Sequence, residues 1–124
     1  MDKPTVLIVE DESIIAHDLS LRLGKLGYEV VAAVPSGTEA IEMAGEHQPD
    51  IVLMDIMLKG EMDGIEAARV IRKRYRIPVI YVTAFTNTRT FRLIKRLYPY
   101  SYLTKPFEDV ELKAVIEKAL LNTA

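Results

Sequence analysis

The chain has 124 residues, 49% of them hydrophobic and 27% charged, with a formal net charge of -2 and no cysteine. That length suits one domain, able to bury roughly two thirds of the surface its unfolded form exposes, and the balance is too apolar for a disordered chain. Disulfide scaffolds, thiolate metal sites and cysteine nucleophiles are excluded, as are long-range attraction of nucleic acid and a membrane-spanning helix, because the apolar runs are too short.

A β-branched run at 5–9 (Thr-Val-Leu-Ile-Val) predicts a first strand. A helix over about 13–26 follows, with Ile15, Leu19, Leu23 and Leu26 on one face and Gly27 to stop it. A second strand is expected at 29–34, then a helix that Ser36 can cap, carrying Ala40, Ile41 and Ala44 and ending before Pro49. The third strand, 51–54, is apolar throughout and runs into Asp55; Asp63 can cap the helix after it, which bears Ile65, Ala68 and Ile71. A fourth strand at 78–82 leads to Thr83, and a fourth helix is expected from about 88 to 98, stopped by Pro99. The last pair is a strand at 100–103 and a helix over about 108–122 that buries Leu112, Val115, Ile116 and Ala119. Strict alternation of strand and helix gives an α/β fold, a doubly wound parallel sheet in the order 2-1-3-4-5, since right-handed crossovers leave few other topologies. The whole of 1–124 is expected to be one domain, whose output lies on another molecule unless the chain is a fragment. Nothing at its start resembles an export signal, so a cytoplasmic location is expected.

In such a sheet every strand's C-terminal end opens on one edge, so polar residues at those ends converge although they are far apart in sequence. Glu10-Asp11, Asp55, Thr83 and Lys105 hold those places. The combination points to phosphorylation of Asp55. A carboxylate is a weak nucleophile towards phosphorus because both partners are anionic, and a hard divalent ion with oxygen ligands relieves the repulsion. Magnesium suits the donors: Asp11 and Asp55 can supply carboxylates, Glu10 can hold a metal-bound water, and a backbone carbonyl just after Asp55 can add an oxygen. Lys105 would offset phosphoryl charge and the Thr83 hydroxyl could donate to a phosphoryl oxygen.

These residues resemble the receiver domain of two-component response regulators. The matching motifs are Val-Leu-Ile-Val-Glu-Asp-Glu at 6–12, Asp-Ile-Val-Leu-Met-Asp at 50–55, Met-Asp-Gly at 62–64, Pro-Val-Ile-Tyr-Val-Thr-Ala at 78–84 and Tyr-Leu-Thr-Lys-Pro-Phe at 102–107. Each is weak alone; together, in order and at strand ends, they are highly specific. The resemblance implies the flavodoxin-like (βα)5 receiver fold, with Asp55 as phosphoacceptor from a phosphohistidine of a sensor histidine kinase or histidine phosphotransfer protein, or from a small phosphodonor. It implies that Glu10 and Asp11 serve Mg2+ with Asp55, Met57 adding its backbone carbonyl. Thr83 would be the switch hydroxyl, Tyr102 the aromatic that turns inward with it, and Lys105 the partner of Asp55 or its phosphate, with a cis bond to Pro106. Ala84 is small, as the position beside the phosphoryl group requires. The chain departs from many receivers after the acceptor, where Leu58-Lys59-Gly60-Glu61 replaces a proline-containing loop.

Simpler roles compete at each position. Asp11 could be only a helix cap, Thr83 only a strand residue, Lys105 only a counter-ion to Asp55, and Tyr102 ordinary packing. Glu12 reads as solvated first-turn charge, and His17 and His47 as surface residues with no second ligand at metal spacing. Met57 and Phe85 are large and apolar where a polar side chain could position an attacking water, so slow self-dephosphorylation is expected. The helix at 88–98 carries Arg89, Arg92, Lys95 and Arg96 as a basic face, either a solvated surface or a docking site for a downstream protein, because phosphorylation should rearrange the region between Thr83 and Tyr102. Direct contact with nucleic acid is not expected. Rival readings are an interaction module that never takes phosphate, an aspartyl phosphatase of the haloacid dehalogenase type, which would want an acid where Met57 stands, and a flavin binder, whose cofactor phosphate the acidic loop 10–13 would repel.

Overall fold

The computed structural model describes residues 3–58, 60, 62–84, 92 and 102–121. In chain order these form β1 (Thr5–Val9), α1 (Ser13–Lys25), β2 (Glu29–Val34), α2 (Gly37–His47), β3 (Ile51–Asp55), α3 (Gly64–Tyr75), β4 (Val79–Thr83), β5 (Tyr102–Thr104) and α4 (Asp109–Leu121). All four strand pairings are parallel and the order is β2-β1-β3-β4-β5, as expected from the alternation. The expected helix over 88–98, apart from Arg92, lies outside the described residues, as do Phe85 and positions 100 and 101 of the expected fifth strand.

Side chains alternate across the sheet, and each face has its own core. On one side Leu7, Val9, Val52, Met54, Val79 and Tyr81 meet Ala40 and Ala44 of α2 and Ala67, Ala68 and Ile71 of α3. On the other Val6, Ile8, Ile51, Leu53, Ile80 and Val82 meet Leu19 and Leu23 of α1 and Leu112 and Ile116 of α4. Burial on both faces explains why the central strands read as unbroken apolar runs.

Helix ends follow the local chemistry. The Ser36 hydroxyl accepts from the Glu39 N–H at 3.2 Å and the Asp63 carboxylate from the Glu66 N–H at 2.8 Å, each filling an orphan donor of a first turn. Gln48 and Arg76 close α2 and α3 in the left-handed conformation, and Gly27, at φ 96°, follows α1. At the N-terminal edge of the sheet Asp50 and Thr5 bond reciprocally: Asp50 accepts from the Thr5 N–H at 2.7 Å, and the Thr5 hydroxyl accepts from the Asp50 N–H at 3.0 Å.

Several strand boundaries differ from expectation, including that of β5, which ends at Thr104, one residue beyond the expected 103. β3 and β4 each extend one residue further, to Asp55 and Thr83, so both polar groups are held inside strands. β4 also begins after Pro78, which has no N–H to give but whose carbonyl accepts from Val52 at 3.0 Å. Glu12 occupies the position before α1 instead of its first turn, and its side chain makes no cap hydrogen bond.

Candidate functional site at the C-terminal edge of the sheet

The strand register delivers the site. Val9 lies beside Met54, Asp55 beside Val82, and Thr83 beside Thr104, so the next residues along these strands, Glu10 and Lys105, arrive next to Asp55 and Thr83. Backbone bonds carry the sheet into the loops: the Glu10 N–H donates to Val34 O at 2.9 Å, Ile56 to Val82 O at 3.2 Å and Lys105 to Thr83 O at 2.8 Å. Glu10, Asp55 and Thr83 are all buried.

One carboxylate oxygen of each of Glu10, Asp11 and Asp55 falls within 4.8 Å of the others. The Lys105 ammonium donates to Glu10 Oε1 at 2.9 Å and lies 3.5 Å from Asp55 Oδ2. The other Asp55 oxygen, Oδ1, accepts from the Met57 N–H at 2.9 Å, so its two oxygens stand in different surroundings. Glu10 Oε2 accepts from the Glu12 N–H at 3.1 Å. The Lys105–Pro106 peptide is cis.

Burial lifts the Glu10 carboxyl above its ordinary 4.5, against the pull of hydrogen bonds from Lys105 and the Glu12 N–H. For Lys105, burial is the largest single influence and works against the charge. The hydrogen bond to Glu10, with the charges of Asp55 and Glu10, outweighs it and holds the ammonium above its usual 10.5.

Three carboxylates on this scale are not neutralised by one lysine. All-oxygen donors, two of them buried, fit a hard divalent cation such as Mg2+, which takes carboxylates and keeps several waters.

Tyr102 is half-buried and packs with Tyr81, its neighbour across the β4–β5 pairing, on the face that carries α2 and α3. Thr83 continues the alternation of Val79 and Tyr81 onto that same face, while Lys105 and Asp55 follow Leu103 and Leu53 onto the other. The Met57 side chain is 58% exposed, and His17 and His47 are exposed as expected. Sequence reasoning missed three features: the tighter partner of Lys105 is Glu10, the Met57 N–H orients Asp55, and Arg22 of α1 grips the segment after Lys105.

Residues 6–117 match the family described as response regulator receiver domain, and the chain belongs to it. It is thus a phosphorylation-dependent signalling domain of two-component systems, of a class that acts as switches and not as conventional enzymes. Such domains are phosphorylated by histidine kinases or phosphotransfer proteins and bind Mg2+ at an acidic pocket. The transcriptional regulatory protein PdtaR of Mycobacterium tuberculosis (strain ATCC 25618 / H37Rv) is 38% identical over 115 residues, which is 93% of this chain and 56% of that protein. The chain therefore spans little more than half the length of this relative. The signal receiver domain of a modulated diguanylate cyclase from Desulfovibrio desulfuricans G20 superimposes with TM-score 0.90 at 39% identity, covering 98% of this chain and 97% of that one. The receiver domain of a sensor histidine kinase from Pseudomonas aeruginosa PAO1, solved with magnesium coordinated in its active-site cleft, has TM-score 0.85 and 29% identity over 97% of this chain and 99% of that one. No helix among the described residues is long and apolar enough to cross a membrane.

Proposed function

We propose that Asp55 accepts a phosphoryl group from a phosphohistidine of a sensor kinase or histidine phosphotransfer protein, in a Mg2+-dependent reaction, and that the change at 83–105 controls a partner protein. The observation that carries this reading is the pair of surroundings at Asp55: one oxygen held by the Met57 N–H, the other beside the Lys105 ammonium, in a buried pocket with two further acids. An Asp55 oxygen forms the new bond to phosphorus as the phosphorus–nitrogen bond of the donor breaks; the imidazole nitrogen leaves with the electron pair. Asp11, Asp55 and the Met57 carbonyl, with a water on Glu10, would hold Mg2+, which would supply the positive charge that lets two anions approach.

Lys105 then meets the charge of the phosphoryl oxygens and the Thr83 hydroxyl donates to one of them. Movement of Thr83 is transmitted to Tyr102 because the two share one face of adjoining strands, and residues 88–98, which lie between them in the sequence, are the docking surface we assign to the downstream protein. Residues 1–124 serve as one receiver unit with a cytoplasmic place of work.

Intact mass after incubation with Mg2+ and acetyl phosphate tests the reading. The parent should gain one phosphoryl group and Asp55→Asn none; no gain in the folded, Mg2+-binding parent from acetyl phosphate or from phosphohistidine donors would overturn it. Once formed, the phosphate should be long-lived because no polar side chain at 57 or 85 positions a water, and loss within seconds in Mg2+ would contradict that part.

A further inference from the structure

Lys105 is carried by the four residues between β5 and α4, and the two ends of this segment are held differently. Its front is pinned by sheet pairing, through the Lys105 N–H on Thr83 O. Its back is pinned by Arg22. The guanidinium donates from Nη2 to Phe107 O at 2.6 Å and from Nε to Asp109 Oδ1 at 2.6 Å, and its central carbon lies 4.7 Å from the Phe107 ring centroid. Asp18, one turn back on α1, lies 3.9 Å from Nη1 and steadies the group.

What lies under the segment gives the grip its importance. A cavity of about 220 Å3, walled by Ile15, Leu19, Leu53, Val82, Pro106 and Phe107, runs between α1 and the segment and reaches Glu10, Asp55 and Lys105. Close packing normally fixes a loop from below, since neighbouring atoms leave it nowhere to go. Here that floor is incomplete. Arg22 spans from α1 to the back of the segment and does what packing does elsewhere. A planar guanidinium can bond a carbonyl and a carboxylate while stacking on a ring; an ammonium cannot.

We propose that Arg22 is a positioning residue for phosphoryl transfer: by tying Phe107 and Asp109 to α1 over this cavity, it holds the Lys105 ammonium at its distance from Asp55. Its polar partners, Phe107, Asp109 and Asp18, lie outside the three acids and it acts through Lys105, so its loss removes no Mg2+ ligand. The inference rests on the function proposed above. In the assay step an Asp55 oxygen bonds to phosphorus while the phosphorus–oxygen bond of acetyl phosphate breaks and acetate leaves with the electron pair.

The test measures the rate of phosphoryl gain from acetyl phosphate at saturating Mg2+, and the Mg2+ Kd, in the full chain and in Arg22→Ala, Arg22→Lys, Lys105→Ala and the Arg22→Ala/Lys105→Ala double variant. Both Arg22 variants should be slower by about ten- to a hundredfold, the cost of a misplacement of the order of an ångström. Their Mg2+ Kd should stay within about twofold of the parent, and Arg22→Ala should add nothing once Lys105 is gone, because residues acting through one another are not additive. Arg22→Lys carries the test if Arg22→Ala does not fold. Parent rate in Arg22→Lys, an equal loss from Arg22→Ala with and without Lys105, or a loss of Mg2+ affinity in step with rate overturns the inference and leaves the function standing. A parent that takes no phosphate overturns the function, and this inference with it.

Discussion

At the scale of single residues, the fold treats two ionisable groups that lose water on folding differently. Lys105 is stripped of much of its water yet keeps its charge, because Glu10 and Asp55 replace the lost hydration. Tyr28 is buried in the core between the sheet and α1 and α4, and burial first, then the charge of Glu117, raises its phenol above the ordinary 10.0. The sign follows from linkage. Below pH 10 the phenol is protonated in folded and unfolded chains alike and its contribution is fully present. As pH rises through the unfolded value the unfolded chain ionises first, and stability is lost until the folded value is passed. Tyr28→Phe should therefore lose less stability than the parent between about pH 9 and about pH 11 in denaturant titrations, with the two converging in slope near neutrality. Parallel slopes throughout that range would show that Tyr28 is not a source of the alkaline loss.

At the scale of elements, α3 begins against the backbone of the acceptor. A Cβ on Gly64 would collide with the Asp55 carbonyl oxygen and come within 2.9 Å of Ile56 Cα, while the Gly64 N–H donates to Ile56 O at 3.3 Å. Glycine is needed here for close approach, not for an unusual φ. Gly64→Ala must push either the helix or the end of β3, at about 1–3 kcal/mol by thermal unfolding. Because the yielding backbone carries Asp55, calorimetric Mg2+ affinity should fall with it; a destabilised variant that binds Mg2+ like the parent would place the strain elsewhere. Gly24 in α1 is the control, since a Cβ there meets nothing within 4 Å, and Gly24→Ala should gain about 0.5–1 kcal/mol from helix propensity. The glycine of the Met62-Asp63-Gly64 motif is thus a steric condition on the site, whereas Asp63 is the cap of the same helix.

At the scale of the molecule, the layout was legible in the sequence wherever a local rule and the sheet topology agreed. Two-sided apolar runs with β-branched residues marked the strands, and parallel topology then forced their polar ends together, so Glu10, Asp55, Thr83 and Lys105 could be grouped from spacing and fold alone. What could not be read depends on side chains meeting across the fold. Arg22 and Phe107 are 85 positions apart and Lys105 and Glu10 are 95 apart; neither pairing has a periodic or local signature. Nothing in the chain around Arg22 distinguishes it from a solvated helix residue. The lysine's attachment to Glu10 has a last consequence, for the course of the reaction in time. Its ammonium is partly dehydrated and aimed when the protein folds, so an arriving phosphoryl group finds a field already in place and needs less solvent rearrangement around the cation. A charge partly buried and paired with two carboxylates is screened less by mobile ions than an exposed one. At saturating Mg2+, the rate with acetyl phosphate should accordingly change less than about threefold between roughly 0.05 M and 0.5 M salt, over which exposed charges become largely screened. A steep fall across that range would mean that the ammonium is solvated when it acts.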